Sequence, residues 1–308
     1  MARRVIMMGV CPLGCRVPCR GIKGSQYRRV RQTEPITKTS PRGTYKICPL
    51  GGSLLTSSSS CIHPVLNMLF SAAGALVFTS LAARASPVPG PQTGCTAYTL
   101  IDTRGTTEPQ GPSVGFLTMN NNIQAQVPGG SVYSTVYPAD WSQNSTAATL
   151  DILDRLDSTL AEDPAHCFIL EGYSQGASAT TNALNLLSSS DPRFGAVKGV
   201  FLIGNPMHFA GLECNVDTTG CKSTRDVDGL SVALGRIPDE WVGKTLDVCN
   251  FVSRPSLPSK AIADEQGDGV CDTTHGDGIN AEHLVYPNDT STQTLGTNFV
   301  VARLQGTA

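Results

Sequence analysis

The sequence predicts an α/β protein: a three-layer α/β/α sandwich around a central five-stranded, mainly parallel sheet. Three observations carry that prediction. Over residues 94–308, short apolar or β-branched runs alternate with helix-length stretches, the pattern of a sheet covered on both faces. Turn residues bound each run, which separates strands from helices. No internal repeat breaks the alternation, so a single domain accommodates it.

Strands are expected at 98–102, 132–136, 167–170, 197–203 and 245–251. The clearest helix is 145–162, where Leu150, Leu153, Asp157 and Leu160 follow helical spacing and Ile152 and Leu156 widen the apolar stripe. Ser145 or Thr146 caps its start and Pro164 ends it. Further helices are expected at about 175–187 and about 290–304.

The chain divides by charge before this domain begins. Residues 1–85 carry 12 Lys and Arg against the lone acid Glu34, whereas residues 86–308 carry 11 against 24 Asp and Glu. The net charge of −2 therefore joins a basic segment to a strongly acidic one. An acidic domain argues against nucleic acid or an anionic membrane as partner. Residues 69–83 form an apolar run that ends in the small-residue pattern Ala83-x-Ala85. The run is shorter than the roughly 20 residues a membrane helix needs, so 68–85 reads as a cleavable secretion signal rather than a stable span. Ser86-Pro87-Val88-Pro89 opens a linker over 86–93. Such a signal belongs at an N-terminus, which makes Met68 the expected start and 1–67 an over-extended reading frame or a disordered basic extension. Cys11, Cys15 and Cys19 lack a further ligand at metal-binding distance, and neither metal nor organic cofactor is expected.

Six cysteines follow residue 86: Cys95, Cys167, Cys214, Cys221, Cys249 and Cys271. An even number in an exported domain points to disulfides, although six cysteines allow 15 pairings. Asn144-Ser145-Thr146 and Asn288-Asp289-Thr290 are N-glycosylation sequons consistent with export. A secreted, extracellular monomer is the expectation.

Gly172-Tyr173-Ser174-Gln175-Gly176 is a G-x-S-x-G motif between a predicted buried strand and a predicted helix. That context marks a nucleophile elbow, a turn so tight that glycines must flank it, which lifts the Ser hydroxyl to the sheet's C-terminal edge. A hydroxyl needs a base to become a nucleophile. His166 precedes the nucleophile strand at its far end and points away. The chain order Ser, acid, His leaves His208, His275 and His283. Asp268, in Gly267-Asp268-Gly269-Val270-Cys271, directly follows the fifth strand, and His283 opens the closing segment. Order and loop position favour Asp268 and His283.

Four motifs stand in one order: Arg104-Gly105-Thr106-Thr107-Glu108, Gly-Tyr-Ser-Gln-Gly, Gly-Asp-x-Val-Cys and His283-Leu284-x-Tyr286. Together they resemble the cutinase and acetylxylan-esterase family of fungal secreted esterases, from about Cys95 to the C-terminus. The resemblance implies a cutinase-type, α/β-hydrolase-like fold, with Ser174 as nucleophile, His283 as general base and Asp268 as orienting acid. It implies an oxyanion hole from the Gln175 backbone N–H and from the backbone and hydroxyl of Thr106. It pairs Cys95 with Cys167 and Cys249 with Cys271, leaving Cys214 and Cys221 as a short local loop. His275 ranks second as base, because only His283 has the family's His-Leu-x-Tyr context.

The activity so implied is hydrolysis of carboxylic esters through an acyl-enzyme, with a plant cuticle or cell-wall polymer as the expected substrate. Cutin-like polyester or short acyl esters come first and deacetylation of plant polysaccharide second. A catalytically inactive surface protein or elicitor is the alternative outside enzymology. Residues 273–280 are polar apart from Ile279, which predicts a preference for short acyl groups.

One stretch departs from the family pattern, whose acid sits in a tight disulfide loop. Here Cys249 and Cys271 are 22 positions apart. Removal of residues 252–266 restores a compact Cys-Asn-Phe-Gly-Asp-Gly-Val-Cys loop. The stretch begins with Val and ends with Gln, whose codons accommodate the GT and AG edges of an intron. It reads as an insertion or a retained intron.

Overall fold

The structure, a computed structural model, describes residues 94–254 and 264–307. The proposed signal, linker and N-terminal extension, and the middle of the 252–266 stretch, lie outside the described residues.

Six parallel strands form the central sheet: β1 (Tyr98–Thr103), β2 (Gly130–Ser134), β3 (Cys167–Tyr173), β4 (Val197–Ile203), β5 (Asn215–Val216) and β6 (Thr245–Val248). Their spatial order is β2-β1-β3-β4-β6-β5, and every pairing is parallel. The sheet thus has one strand more than expected. Asn215 and Val216 escaped the sequence pattern because a two-residue edge strand carries no periodicity. The expected strand 245–251 is also divided: β6 stops at Val248, and Phe251 starts a separate antiparallel ribbon of β7 (Phe251–Arg254) with β8 (Asp264–Gly267).

Helix α1 (Leu117–Gln126) and helix α4 (Thr290–Gln305) pack together on one face, while α2 (Thr146–Glu162) and α3 (Gln175–Asn185) cover the other. Strand alternation divides the core accordingly. In β3, Phe168 and Leu170 enter the cluster with Ile152, Leu156 and Ala183, whereas Ile169 and Tyr173 meet Met119, Ile123 and Val300. Helix α1 carries no apolar period, because its Asn120-Asn121-Asn122 run hides the apolar positions. In α2 the expected Ile152 and Leu156 are buried with Ala148 and Thr149, Leu153 and Leu160 pack beside them, and Leu150 is exposed. Ser145 occupies the cap position of α2 without a side-chain cap bond, and the Asn144 side chain instead accepts from the Thr146 N–H at 3.1 Å.

The expected outer disulfides are present, Cys95–Cys167 and Cys249–Cys271. The expected Cys214–Cys221 bridge is not. Cys214 carries a free thiol turned into the apolar cluster with Ile237 and Trp241, and Cys221 is disulfide-bonded elsewhere. The intervening turn explains the difference. Asp217 binds the Cys221 backbone on both sides, its N–H donating to the Cys221 carbonyl at 2.8 Å and its carboxylate accepting the Cys221 N–H at 3.0 Å. That holds Cys221 on the surface side of the turn while Cys214 faces the core.

The strand order places the site. From β1 the chain crosses to β2 on one side, and from β3 it crosses to β4 on the other. The loops leaving β1 and β3 therefore diverge and open a crevice at the carboxyl ends of the strands. Arg104–Glu108 follows β1 and Ser174 follows β3, so the two motifs flank that crevice.

Candidate active site

Ser174 stands between β3 and α3 with φ 55° and ψ −117°. For a non-glycine residue this conformation costs on the order of 1–3 kcal/mol and persists only when neighbours enforce it. They do so here. A Cβ on Gly172 would lie 2.6 Å from the Ala177 Cα, and one on Gly176 would lie 2.0 Å from the Thr103 carbonyl oxygen. Both glycines are thus required by backbone packing on either side of the serine.

The three residues selected from the sequence come together. His283 Nε2 lies 2.9 Å from Ser174 Oγ, and His283 Nδ1 lies 2.9 Å from both Asp268 carboxylate oxygens. All three side chains are buried. Because a carboxylate only accepts, Nδ1 carries the ring proton and Nε2 is left to accept from the serine.

Each member is held by further residues. Asp268 also accepts from the Val270 N–H at 2.9 Å and the Tyr286 hydroxyl at 2.5 Å. Tyr286 in turn accepts from the Asn250 N–H at 2.9 Å. Burial, and then the Asp268 charge, push the Tyr286 phenol well up, so it keeps the proton it donates. The Tyr173 hydroxyl donates to the His283 carbonyl at 2.7 Å, and the Asn280 side chain accepts the His283 N–H at 3.0 Å. Gly204, with φ 55°, lies beneath the pair: a Cβ there would stand 2.7 Å from His283 Cε1 and 2.9 Å from Asp268 Oδ2. Tyr286 was visible only as a motif letter. Asn250, Asn280 and Gly204 carried no chemical signal in the sequence, since their roles are steric or depend on the backbone.

His275 pairs with a different acid. Its Nδ1 meets Asp272 at 2.7 Å and its carbonyl accepts from the Gly267 N–H at 3.1 Å, which ties the Asp268 loop together from behind. His166 bonds Thr99 at the opposite end of the strands, as expected. His208 is buried, with Nδ1 2.9 Å from Asp247 and Nε2 2.9 Å from the Thr224 carbonyl. An acceptor at each nitrogen favours the doubly protonated ring. Burial opposes that charge, but Asp247 and the Thr224 carbonyl outweigh it and hold the imidazole's pKa up.

On the other side of the serine lies the turn after β1. The Thr106 hydroxyl is 3.3 Å from Gln175 Oε1 and accepts from Gln143 Nε2 at 3.0 Å. The Gln175 N–H is the first of α3, among the donors a helix leaves unpaired at its start. Four non-glycine residues have positive φ among the described residues, namely Thr107, Ala139, Gln143 and Ser174. Thr107 donates to the Ala139 carbonyl at 2.6 Å, Gln143 bonds Thr106, and Ser174 lies beside them, so the backbone strain gathers around one site.

A cavity of about 350 Å³ opens over Ser174. One wall is polar, with Thr106, Gln143, Ser145, Ser178 and Asn182. The other is mainly apolar, with Pro206, Met207, Leu230, Leu234, Val270 and Ile279 interrupted by Ser231. The rim is thus less polar than residues 273–280 suggested, because 206–207 and 230–234 arrive from distant sequence. Asn144 and Asn288, the two sequon residues, are exposed. No described helix is long and apolar enough to cross a membrane.

The comparisons with known proteins agree with this architecture. The family model for cutinase matches residues 94–304. A solved cutinase-like protein from Cryptococcus sp. is 55% identical with a TM-score of 0.64, over 70% of this chain and 99% of its own. The catalytic core domain of acetyl xylan esterase from Trichoderma reesei is 22% identical with a TM-score of 0.50, over 68% of this chain and 100% of its own. That second likeness speaks to the fold alone. No curated protein matches the chain. A family match over most of the chain, on a fold that gathers a serine, a histidine and an aspartate at its elbow, assigns the protein to the cutinase family of ester hydrolases.

Proposed function

We propose that the protein hydrolyses carboxylic esters through a serine acyl-enzyme, with Ser174 as nucleophile, His283 as general base and Asp268 as orienting acid. The observation that carries this reading is the continuous series from Ser174 Oγ through His283 to Asp268, each step at 2.9 Å. In the first step His283 Nε2 takes the serine proton as Oγ bonds to the ester carbonyl carbon. The carbonyl oxygen becomes negative and is met by the Gln175 N–H and by Thr106, donors of a kind worth about 2.7–4 kcal/mol each. The imidazolium then returns its proton to the departing alcohol. Water repeats the cycle on the acyl-enzyme and releases the acid.

The reading includes export, with residues 68–85 as signal and glycans at the exposed Asn144 and Asn288. It places the protein outside the cell as a monomer acting on a plant cuticle or cell-wall ester. A cutin-like polyester or a short acyl ester is the first substrate class, supported by the 55% identical cutinase-like protein. The polar wall of Thr106, Gln143, Ser145, Ser178 and Asn182 favours one second reading, removal of acetyl groups from a hydroxyl-rich polysaccharide. The test is an assay of residues 86–308 on p-nitrophenyl esters of graded acyl length, cutin and acetylated xylan. Turnover highest on butyrate-length esters and measurable on cutin supports the first reading, and release of acetate from xylan alone supports the second. Absence of turnover on all of them supports an inactive surface protein.

A further inference from the structure

The motif Arg104-Gly105-Thr106-Thr107-Glu108 contributes more than Thr106 to the site. Its residues 105–108 form a turn closed by the Glu108 N–H donating to the Gly105 carbonyl at 3.3 Å. Thr107 takes the third position of that turn with φ 66°, a conformation turns usually give to Gly or Asn. A threonine there must be held by its surroundings.

Glu108 does much of that holding. Its carboxylate accepts from the Gly105 N–H, from the Ser113 hydroxyl at 2.9 Å and from the Val114 N–H at 2.7 Å. The side chain thus bridges the start of the turn to the segment that leads into α1. Arg104 secures the turn from below, donating to the Glu108 carbonyl at 2.8 Å and the Thr135 carbonyl at 3.1 Å. The arrangement is tight against the nucleophile: a Cβ on Gly105 would stand 3.5 Å from Ser174 Cβ and 3.3 Å from Glu108 Oε2.

We propose that Glu108 is a positioning residue that holds the strained turn so that Thr106 meets the oxyanion. The proposal rests on the esterase reading. It requires a carboxylate for a specific reason. Oε2 faces the Gly105 N–H and Oε1 faces the Val114 N–H, so an amide in its place must point an NH₂ group at one of these donors. One clamp then opens and Thr106 shifts, while the rest of the cavity lining, to which Glu108 does not belong, stays in place.

The test is steady-state kinetics of the full chain carrying Glu108→Gln, Thr106→Ala or both, on p-nitrophenyl butyrate. Inhibition is measured with butylboronic acid, which binds as a tetrahedral anion, and with butyramide, which binds as a planar carbonyl. Glu108→Gln is expected to lower kcat by about 10- to 100-fold, the scale of a small misplacement. KM and butyramide inhibition should stay unchanged, and boronate affinity should fall by the same factor as kcat. In the Thr106→Ala background the further loss should be several-fold smaller. A rise in KM, equal weakening of both inhibitors, or fully additive losses would overturn the proposal. Should the Gln variant not fold, Glu108→Asp reads the same quantities, because the shortened carboxylate no longer reaches both donors. An active wild type whose Glu108 variants are kinetically unchanged defeats this proposal alone. A wild type without turnover or boronate inhibition defeats the esterase reading and this proposal with it.

Discussion

Tyr286 gives its hydroxyl hydrogen to Asp268 while receiving one from the Asn250 backbone, at 2.5 and 2.9 Å. The phenol therefore joins the end of β6 to the Asp268 loop through the carboxylate itself. Tyr286→Phe leaves a buried N–H without an acceptor and takes one donor from a buried carboxylate. The expected cost is about 1–3 kcal/mol of stability, read by denaturant unfolding, together with a lower kcat at little changed KM. An unchanged kcat would show that Asp268 does not depend on this bond.

The two loop histidines make opposite predictions. His283→Ala should lower kcat by on the order of 10⁴-fold or more, as removal of a triad base does. His275→Ala should leave kcat within a few-fold and lower the melting temperature, because its partner Asp272 is buried and loses a 2.7 Å bond. Parallel kcat measurements decide it, and the reverse ranking would move the base to His275.

His208 makes stability depend on pH. Its folded pKa is held above the unfolded value by Asp247 and the Thr224 carbonyl, against the effect of burial. The contribution is therefore complete below the unfolded histidine pKa of about 6.5 and is lost as pH rises through the folded value. Unfolding free energy measured from pH 6 upward should fall with that slope, and His208→Gln should flatten it. The variant should also cost about 3–5 kcal/mol at pH 6, because the buried Asp247 loses its cationic partner and keeps only the Asn205 amide. A slope that survives in the variant would assign the effect to another group.

The ribbon register bears on the 252–266 stretch. Phe251 pairs directly with Gly267, so the two residues that would become neighbours after its removal already face each other. Opposed residues in an antiparallel pair are about 4.5–5.5 Å apart at Cα, close to the ~3.8 Å of adjacent residues. We propose that the mature protein lacks the stretch. Deletion of 252–266 should leave the Cys249–Cys271 bridge and keep kcat/KM within a few-fold, measured on p-nitrophenyl butyrate. Peptide mapping of the secreted protein checks the proposal itself, and recovery of Pro255-Ser256-Leu257-Pro258 would refute it.

Much of the fold was legible because parallel strands buried on both faces are continuously apolar, as 167–170 and 200–203 are. What escaped reading had no period to betray it: the two-residue β5, the Asn-rich α1 and the ribbon after Val248. At the site, Ser174, Asp268 and His283 were recoverable from motif and chain order, since their chemistry restricts residue type. The apolar wall of Leu230 and Leu234 and the supporting Asn250 and Gly204 were not, because tertiary packing alone brings them to the serine. Cys214 shows the limit of counting cysteines: an even total does not fix which thiols meet.

That Ser174 alone carries the covalent chemistry is the proposal on which the mechanism stands. Its most direct test is treatment of residues 86–308 with a fluorophosphonate, followed by intact-mass and peptide mass spectrometry. One adduct per chain is expected, on the peptide holding Gly172-Tyr173-Ser174-Gln175-Gly176, and none in a folded Ser174→Ala variant. An adduct that persists in that variant, or a native protein that stays unlabelled, would contradict it.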